Sequence, residues 1–143
     1  MQMDFVLDKD FRRVDWRAAA DLFDRVGWAP RESSQLERAF RNSAHVRFAY
    51  VGDTLAGFGR VLSDGEYFAG IQDIIVSPEF QGRGLGRAIV ESLLAECAHL
   101  VIINVTCAPG RDGFYEALGF RQQKTAWARV DNPDAPSWAP YLE

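Results

Sequence analysis

Apolar and polar positions along the chain follow two periods. Leu22, Phe23 and Val26 recur at helical spacing, which predicts a helix from Trp16 to Val26 with Asp15 as its N-cap and Gly27 as its stop. Leu36, Ala39 and Phe40 repeat that spacing and predict a second helix from Ser33 or Ser34 to Asn42, with Trp28-Ala29-Pro30 as the loop between. Elsewhere the pattern shifts toward strands. Phe5-Val6-Leu7 reads as a short first strand, and Val46–Val51, Leu55–Leu62 and Tyr67–Val76 as three more. The turn signals Gly52-Asp53 and Ser63-Asp64-Gly65 join those three into an antiparallel meander. A helical pattern follows over Arg87–Ala98, then an apolar strand of buried composition over Leu100–Thr106. A short helix over Asp112–Leu118 ends at Gly119, and a last strand is expected from Phe120 to Val130. The tail from Asp131 to Glu143 contains Pro133, Pro136 and Pro140 and reads as loop. Alternating helices and strands place the chain in the α/β (α+β) class.

Composition narrows the functions open to this pattern. A chain of 143 residues with 48% hydrophobic content is expected to form one domain spanning 1–143. The net charge of −4 offers no basic footprint for nucleic acid and suits a neutral or cationic substrate. No apolar run approaches the roughly 20 residues of a membrane span. Met1 to Phe5 lack the basic and apolar regions of a signal peptide. Cys97 and Cys107 then read as reduced thiols, and a cytoplasmic location is expected. His45 and His99 have no ligand-like spacing, so no metal site is expected.

The candidate chemistry begins at Gln81-Gly82-Arg83-Gly84-Leu85-Gly86, between the apolar Ile74-Ile75-Val76 and the helical pattern. A strand, a glycine-rich turn and a helix start make a cradle for anions. The first helical N–H groups lack internal partners, the helix dipole adds positive charge, and glycines let a backbone approach phosphate. Two familiar cradles fail on spacing. Both the P-loop and the dinucleotide fingerprint require a small residue where this chain has Arg87. The acidic residue that should follow the dinucleotide fingerprint is also absent from Val101-Ile102-Ile103-Asn104-Val105. Arg83 and Arg87 could each add a charge-assisted phosphate contact or simply form a solvated helix face, and Arg111 is a further candidate.

Gln81, Gly84 and Gly86 fit [QR]-x-x-G-x-[GA], which resembles the acetyl-CoA loop of the GCN5-related N-acetyltransferase (GNAT) family. Gly113-Phe114-Tyr115-Glu116-Ala117-Leu118-Gly119-Phe120 resembles that family's "FYexLGF" segment, in the right order. The resemblance implies a mixed central sheet of six to seven strands with about four helices, its parallel strands splayed around the cofactor. It implies acetyl-CoA as cosubstrate, held by Ile74, Ile75 and Val76 along the acyl-pantetheine arm and by Gln81, Gly82, Arg83, Gly84, Leu85, Gly86 and Arg87 at the pyrophosphate. The implied reaction is attack of an amine on the thioester carbonyl in a ternary complex, with Val76 as candidate amide donor to the oxyanion.

An alkyl ammonium has a pKa of about 10.4, so neutralising it at pH 7 costs about 4–5 kcal/mol and calls for a base. Asp73, a carboxylate among Ile71, Ile74 and Ile75, is the candidate base or substrate anchor. A structural carboxylate is the alternative, and strand alternation puts Gln72 on the opposite face. Tyr115 matches the family tyrosine whose hydroxyl serves the departing thiolate. The family's asparagine upstream of that tyrosine is replaced here by Ala108. Trp28, Tyr67, Phe68 and Trp127 are candidate walls of an acceptor pocket, with Asp53, Asp64 and Glu66 near turns to attract a cation. The expected acceptor is a small amine. A protein or peptide amine, or a non-catalytic acyl-CoA-binding module, are the alternatives. The family also includes many homodimers, on which no motif here bears.

Overall fold

The computed structural model describes residues 4–143. Residues 1–3, most of the segment read above for a signal, lie outside the described residues. The chain divides into two compact units, residues 1–106 and 107–143.

The first unit is one mixed sheet with helices. Strands β1 (Val6–Asp8), β2 (His45–Val51), β3 (Thr54–Ser63), β4 (Phe68–Val76) and β5 (Ile102–Val105) lie side by side in sequence order. The first four are antiparallel, and β5 runs parallel to β4. Helices α1 (Trp16–Arg25) and α2 (Ser33–Arg41) precede the meander, and α3 (Leu85–Glu96) links β4 to β5. The meander and both early helices stand where periodicity put them. At α1 the Asp15 carboxylate accepts from the Arg17 and Ala18 N–H groups. At α2 the cap is Glu32, one residue before the expected serines; its carboxylate accepts from the Ser34 and Gln35 N–H groups. The Ser34 hydroxyl donates to Glu32 instead of capping the helix.

Aromatic side chains fill the layer between the sheet and the first two helices. Phe23, Phe40, Phe48 and Phe58 are fully enclosed, with ring centroids 5.4–6.3 Å apart. Each such ring contributes about 1.5–3 kcal/mol through burial. On the other face Ile89, Val90 and Leu93 of α3 are buried. Arg47 is also buried there: it donates to Ser92 Oγ (2.6 Å), to the Ser92 and Val46 carbonyls, and lies 3.7 Å from the Glu96 carboxylate. A buried guanidinium is tolerated because its donors find acceptors, and here they tie α3 to β2.

Two expectations fail. β5 is not a buried strand: it is the sheet edge, with Ile102 42% and the preceding Val101 79% exposed. Its apolar composition matches that of a central strand, but its position does not. The strand expected over Phe120–Val130 does not form, so the described residues hold five strands against the six to seven expected. Arg121-Gln122-Gln123-Lys124 interrupts the apolar alternation, and a strand persists only where a ladder partner takes its hydrogen bonds.

The second unit contains α4 (Asp112–Ala117) and a 3-10 turn (Pro136–Trp138) within the tail. Past α4 the Gly119 N–H donates to the Glu116 carbonyl and the Phe120 N–H folds back to the Tyr115 carbonyl, 3.0 Å. This left-handed helix ending is what Leu-Gly-Phe encodes.

Candidate active site

β4 keeps β5 as a partner only from Phe68↔Ile102 to Ile71↔Val105. β5 ends at that last pair, while β4 continues past Ile71 to Val76 against β3. On the β3 side the Ser77 N–H donates to the Ala56 carbonyl at 2.8 Å. Backbone groups alternate in direction along a strand, so those of Val76 point away from β3. The Val76 carbonyl there accepts from the Gln81 side-chain amide at 2.9 Å. Gln81 therefore ties the glycine-rich turn to the strand that leads into it.

The turn continues through a 3-10 segment (Pro78–Phe80), whose Glu79 is ion-paired to Arg25 of α1. Gly82 and Gly84 take φ of 76° and 84°, where side chains are strained and glycine is not. Gly84 caps α3 with no side chain, and its carbonyl accepts the first helical bond, from Ala88. The N–H groups of Leu85, Gly86 and Arg87 in the first turn of α3 thus have no intrahelical acceptor. The Arg87 guanidinium is engaged by Glu91, 2.6 Å, on an exposed helix face.

Asp73 lies in an irregularity of β4. Between the pairs Phe58↔Ile75 and Arg60↔Gln72, β4 advances one residue more than β3. Asp73 has φ 55°, the only non-glycine residue among the described residues with positive φ. Such a conformation costs an L-residue about 1–2 kcal/mol. Its carboxylate is not solitary: the Arg60 Nε donates to Oδ2 at 2.8 Å, and both side chains are largely enclosed. The bulge also cancels the expected alternation. A Cβ added at Gly70 would point toward the Phe68 ring and the Gln72 amide, so Gln72 shares a face with its partner Arg60, and Asp73 reaches that same face.

Tyr115 belongs to the second unit. Its ring sits edge-on to Phe114 and Phe120, with centroids 4.9 and 5.5 Å away. Burial pushes the phenol up to about 12; Cys107 adds to the rise and Arg111 opposes it. The Cys107 and Cys97 thiols are likewise raised by burial, so neither is an activated nucleophile. Arg111 forms the backbone cap of α4.

The suggested acceptor walls are divided between the two units. Trp28 packs on Phe23, whereas Tyr67 and Phe68 are 68% and 42% exposed, and Trp127 of the second unit is almost wholly exposed. Among the described residues no ring contact joins Trp28 to Tyr67 or Phe68. Asp64 is occupied with its own turn, accepting from the Glu66, Tyr67 and Phe68 N–H groups, which hold its pKa below the usual range. Arg60 escaped the sequence reading. The available signal was two opposite charges, Arg60 and Asp73, each set among apolar strand residues.

The family model for the acetyltransferase (GNAT) domain matches residues 18–130. The chain belongs to the GNAT family. Its rice relative, serotonin N-acetyltransferase 2, chloroplastic (Oryza sativa subsp. japonica), is 33% identical over 85% of this chain and 64% of its own length. The soybean (Glycine max) histone acetyltransferase TAP1 is 34% identical over 69% of this chain and 48% of its own. The chain thus spans about half to two thirds of these two relatives. A Staphylococcus aureus protein of unknown function, a probable acetyltransferase, superposes with a TM-score of 0.80 over 90% of this chain and all of its own, at 21% identity. That likeness establishes the GNAT fold.

Proposed function

We propose that this chain is an acetyl-CoA-dependent N-acetyltransferase acting on a primary amine in a ternary complex, with the two units serving as one cytoplasmic catalytic domain. The observation that carries this reading is the continuation of β4 to Val76 beyond its last β5 partner at Ile71↔Val105, beside a turn with Gly82 and Gly84 in left-handed conformation. The stretch of β4 that β5 leaves unpaired suits a pantetheine arm with its two amides, and the first-turn N–H groups of Leu85–Arg87 suit a pyrophosphate. Bound acetyl-CoA supplies an activated thioester and a thiolate leaving group. The Val76 N–H, directed away from β3, is assigned to the charge that develops on the carbonyl oxygen. Tyr115 is assigned to proton donation, a phenol being protonated at neutral pH. Asp73 is assigned to holding its strand rather than to proton removal, because Arg60 already engages its carboxylate.

Calorimetric titration with acetyl-CoA and CoA, with NADH and ATP as controls, tests the cradle. Binding of the two CoA species alone supports the reading, and folded protein that binds neither overturns it. A second acceptor class competes with a small amine. The exposure of Tyr67 and Phe68 suits a protein or peptide amine better than an aromatic box would. Thiol release measured with arylalkylamines against lysine-containing peptides separates the two.

A further inference from the structure

The site carries a second charged residue whose placement the reaction does not explain. Arg60, on β3, donates to Asp73 at 2.8 Å, contacts Ser43 Oγ at 3.4 Å, and lies 5.6 Å from the centre of the Phe40 ring. Ser43 in turn donates to the Ala39 carbonyl at the end of α2. A continuous path therefore runs from α2 through Ser43 and Arg60 to Asp73, the one left-handed non-glycine residue among the described residues, at the bulge of β4. That bulge follows Ile71, the last residue paired with β5. The path thus ends at the start of the β4 segment that has no β5 partner and that includes Val76.

We propose that Arg60 is a positioning residue: by clamping the Asp73 carboxylate it holds the left-handed bulge of β4 and aims the amides beyond it. The requirement is geometric. An extra residue in a strand can be absorbed at several points, and each choice rotates the following amides differently. Asp tolerates positive φ better than most residues, but tolerance does not select the position. A guanidinium held on its other sides by Ser43 and Phe40 does select it, because it fixes where the Asp73 carboxylate must sit. Lysine, a point charge without the planar fork, cannot replace it fully. The proposal builds on the reading of the unpaired β4 stretch as the acyl-arm site, but the clamp is testable in the free protein.

The variants Arg60→Met, Arg60→Lys, Asp73→Gly and the double variant Arg60→Met/Asp73→Gly separate the roles. Amide hydrogen exchange of the free protein is read first. Arg60→Met and Arg60→Lys should speed exchange at Ile75 and Ser77, whose N–H groups face β3, at least tenfold while β2 amides stay unchanged. Asp73→Gly, which takes positive φ without strain but offers the guanidinium no carboxylate, should speed exchange there as Arg60→Met does, and the double variant should add little further. Should Arg60→Met not fold, Arg60→Lys and the double variant carry the comparison. Acetyl-CoA affinity should follow the same order, weakening roughly tenfold in Arg60→Met, since small misplacements of positioned groups are costly. Unchanged exchange at Ile75 and Ser77 in both Arg60 variants overturns the clamp. Loss of turnover in Asp73→Gly with normal exchange and normal acetyl-CoA binding also overturns it, because Asp73 would then act in the chemistry itself. Absence of acetyl-CoA binding by the unaltered protein would defeat the acyl-CoA reading alone, and the exchange data would still decide the clamp.

Discussion

The Tyr115 ring is packed edge-on between two phenylalanines, and burial raises its phenol to about 12. As the assigned donor to the thiolate, it should be replaceable by phenylalanine without disturbing the fold. Tyr115→Phe is expected to lower turnover roughly 100-fold, the lower range for a general acid, with the acetyl-CoA Kd from calorimetry unchanged within about twofold. The same shift predicts an alkaline effect on stability. The unfolded phenol ionises near 10.0 and the folded one near about 12. Below pH 10 both states hold the proton and the stabilisation is complete. Between pH 10 and 12 the unfolded state releases its proton first, so stability falls by up to roughly 2 kcal/mol. Urea melts across that window should show a smaller fall in Tyr115→Phe than in the native protein, the remainder coming from Tyr50 and the two thiols, which burial also raises. At the cradle, a Cβ on Gly84 would meet no atom within 4 Å, so the demand there is for φ 84° and not for space. Gly84→Val should remain folded by circular dichroism and lose acetyl-CoA binding, since the β-branched residue cannot hold the cap that exposes the first-turn amides. Much of this was legible at the residue level. Gln81, Gly84, Gly86 and Tyr115 stand out by type and spacing. The function of the Gln81 side chain in bonding Val76, and the engagement of Asp73 by Arg60, were not legible, because both depend on partners brought near by the strands.

At the element scale the informative features are close approaches and broken registers. β3 and β4 come so near at Gly57 that an added Cβ would lie 2.6 Å from the Ile75 carbonyl oxygen, a backbone atom that cannot rotate away. Gly57→Ala is therefore expected to destabilise the fold by about 1–3 kcal/mol, read as a lower urea midpoint with unchanged slope. Periodicity placed the helices and the meander well because each buries one face against a single aromatic layer. It misjudged β5 and the 120–130 segment for a common reason. An apolar run records that a segment favours burial, but edge or centre, and strand or loop, depend on which neighbour completes its hydrogen bonds. The bulge at Asp73 was equally hidden, since inserting one residue leaves a strand's composition unchanged.

Across the whole molecule, protection should track the sheet. Backbone amides of β2, β3 and β4 are paired on interior ladders. Residues 121–130 make no ladder. Hydrogen exchange followed by mass spectrometry should therefore find the meander slowest and 121–130 among the fastest segments, and slow exchange in that segment would mean that it forms a strand in solution. The sequence by itself determined the family, the order of helices and meander, the glycine cradle and the Tyr115 segment. Those are local properties: period, cap, turn residue and motif spacing all act over a few neighbouring positions. Tertiary structure alone decided that β5 is an edge, that β4 runs on past its last β5 partner at Ile71, that β4 bulges at Asp73, and that Arg60 bonds the Asp73 carboxylate. Each of these is a relation between residues far apart in the chain. Such relations exist only once burial and hydrogen bonding across the sheet have chosen partners, and no local pattern encodes that choice.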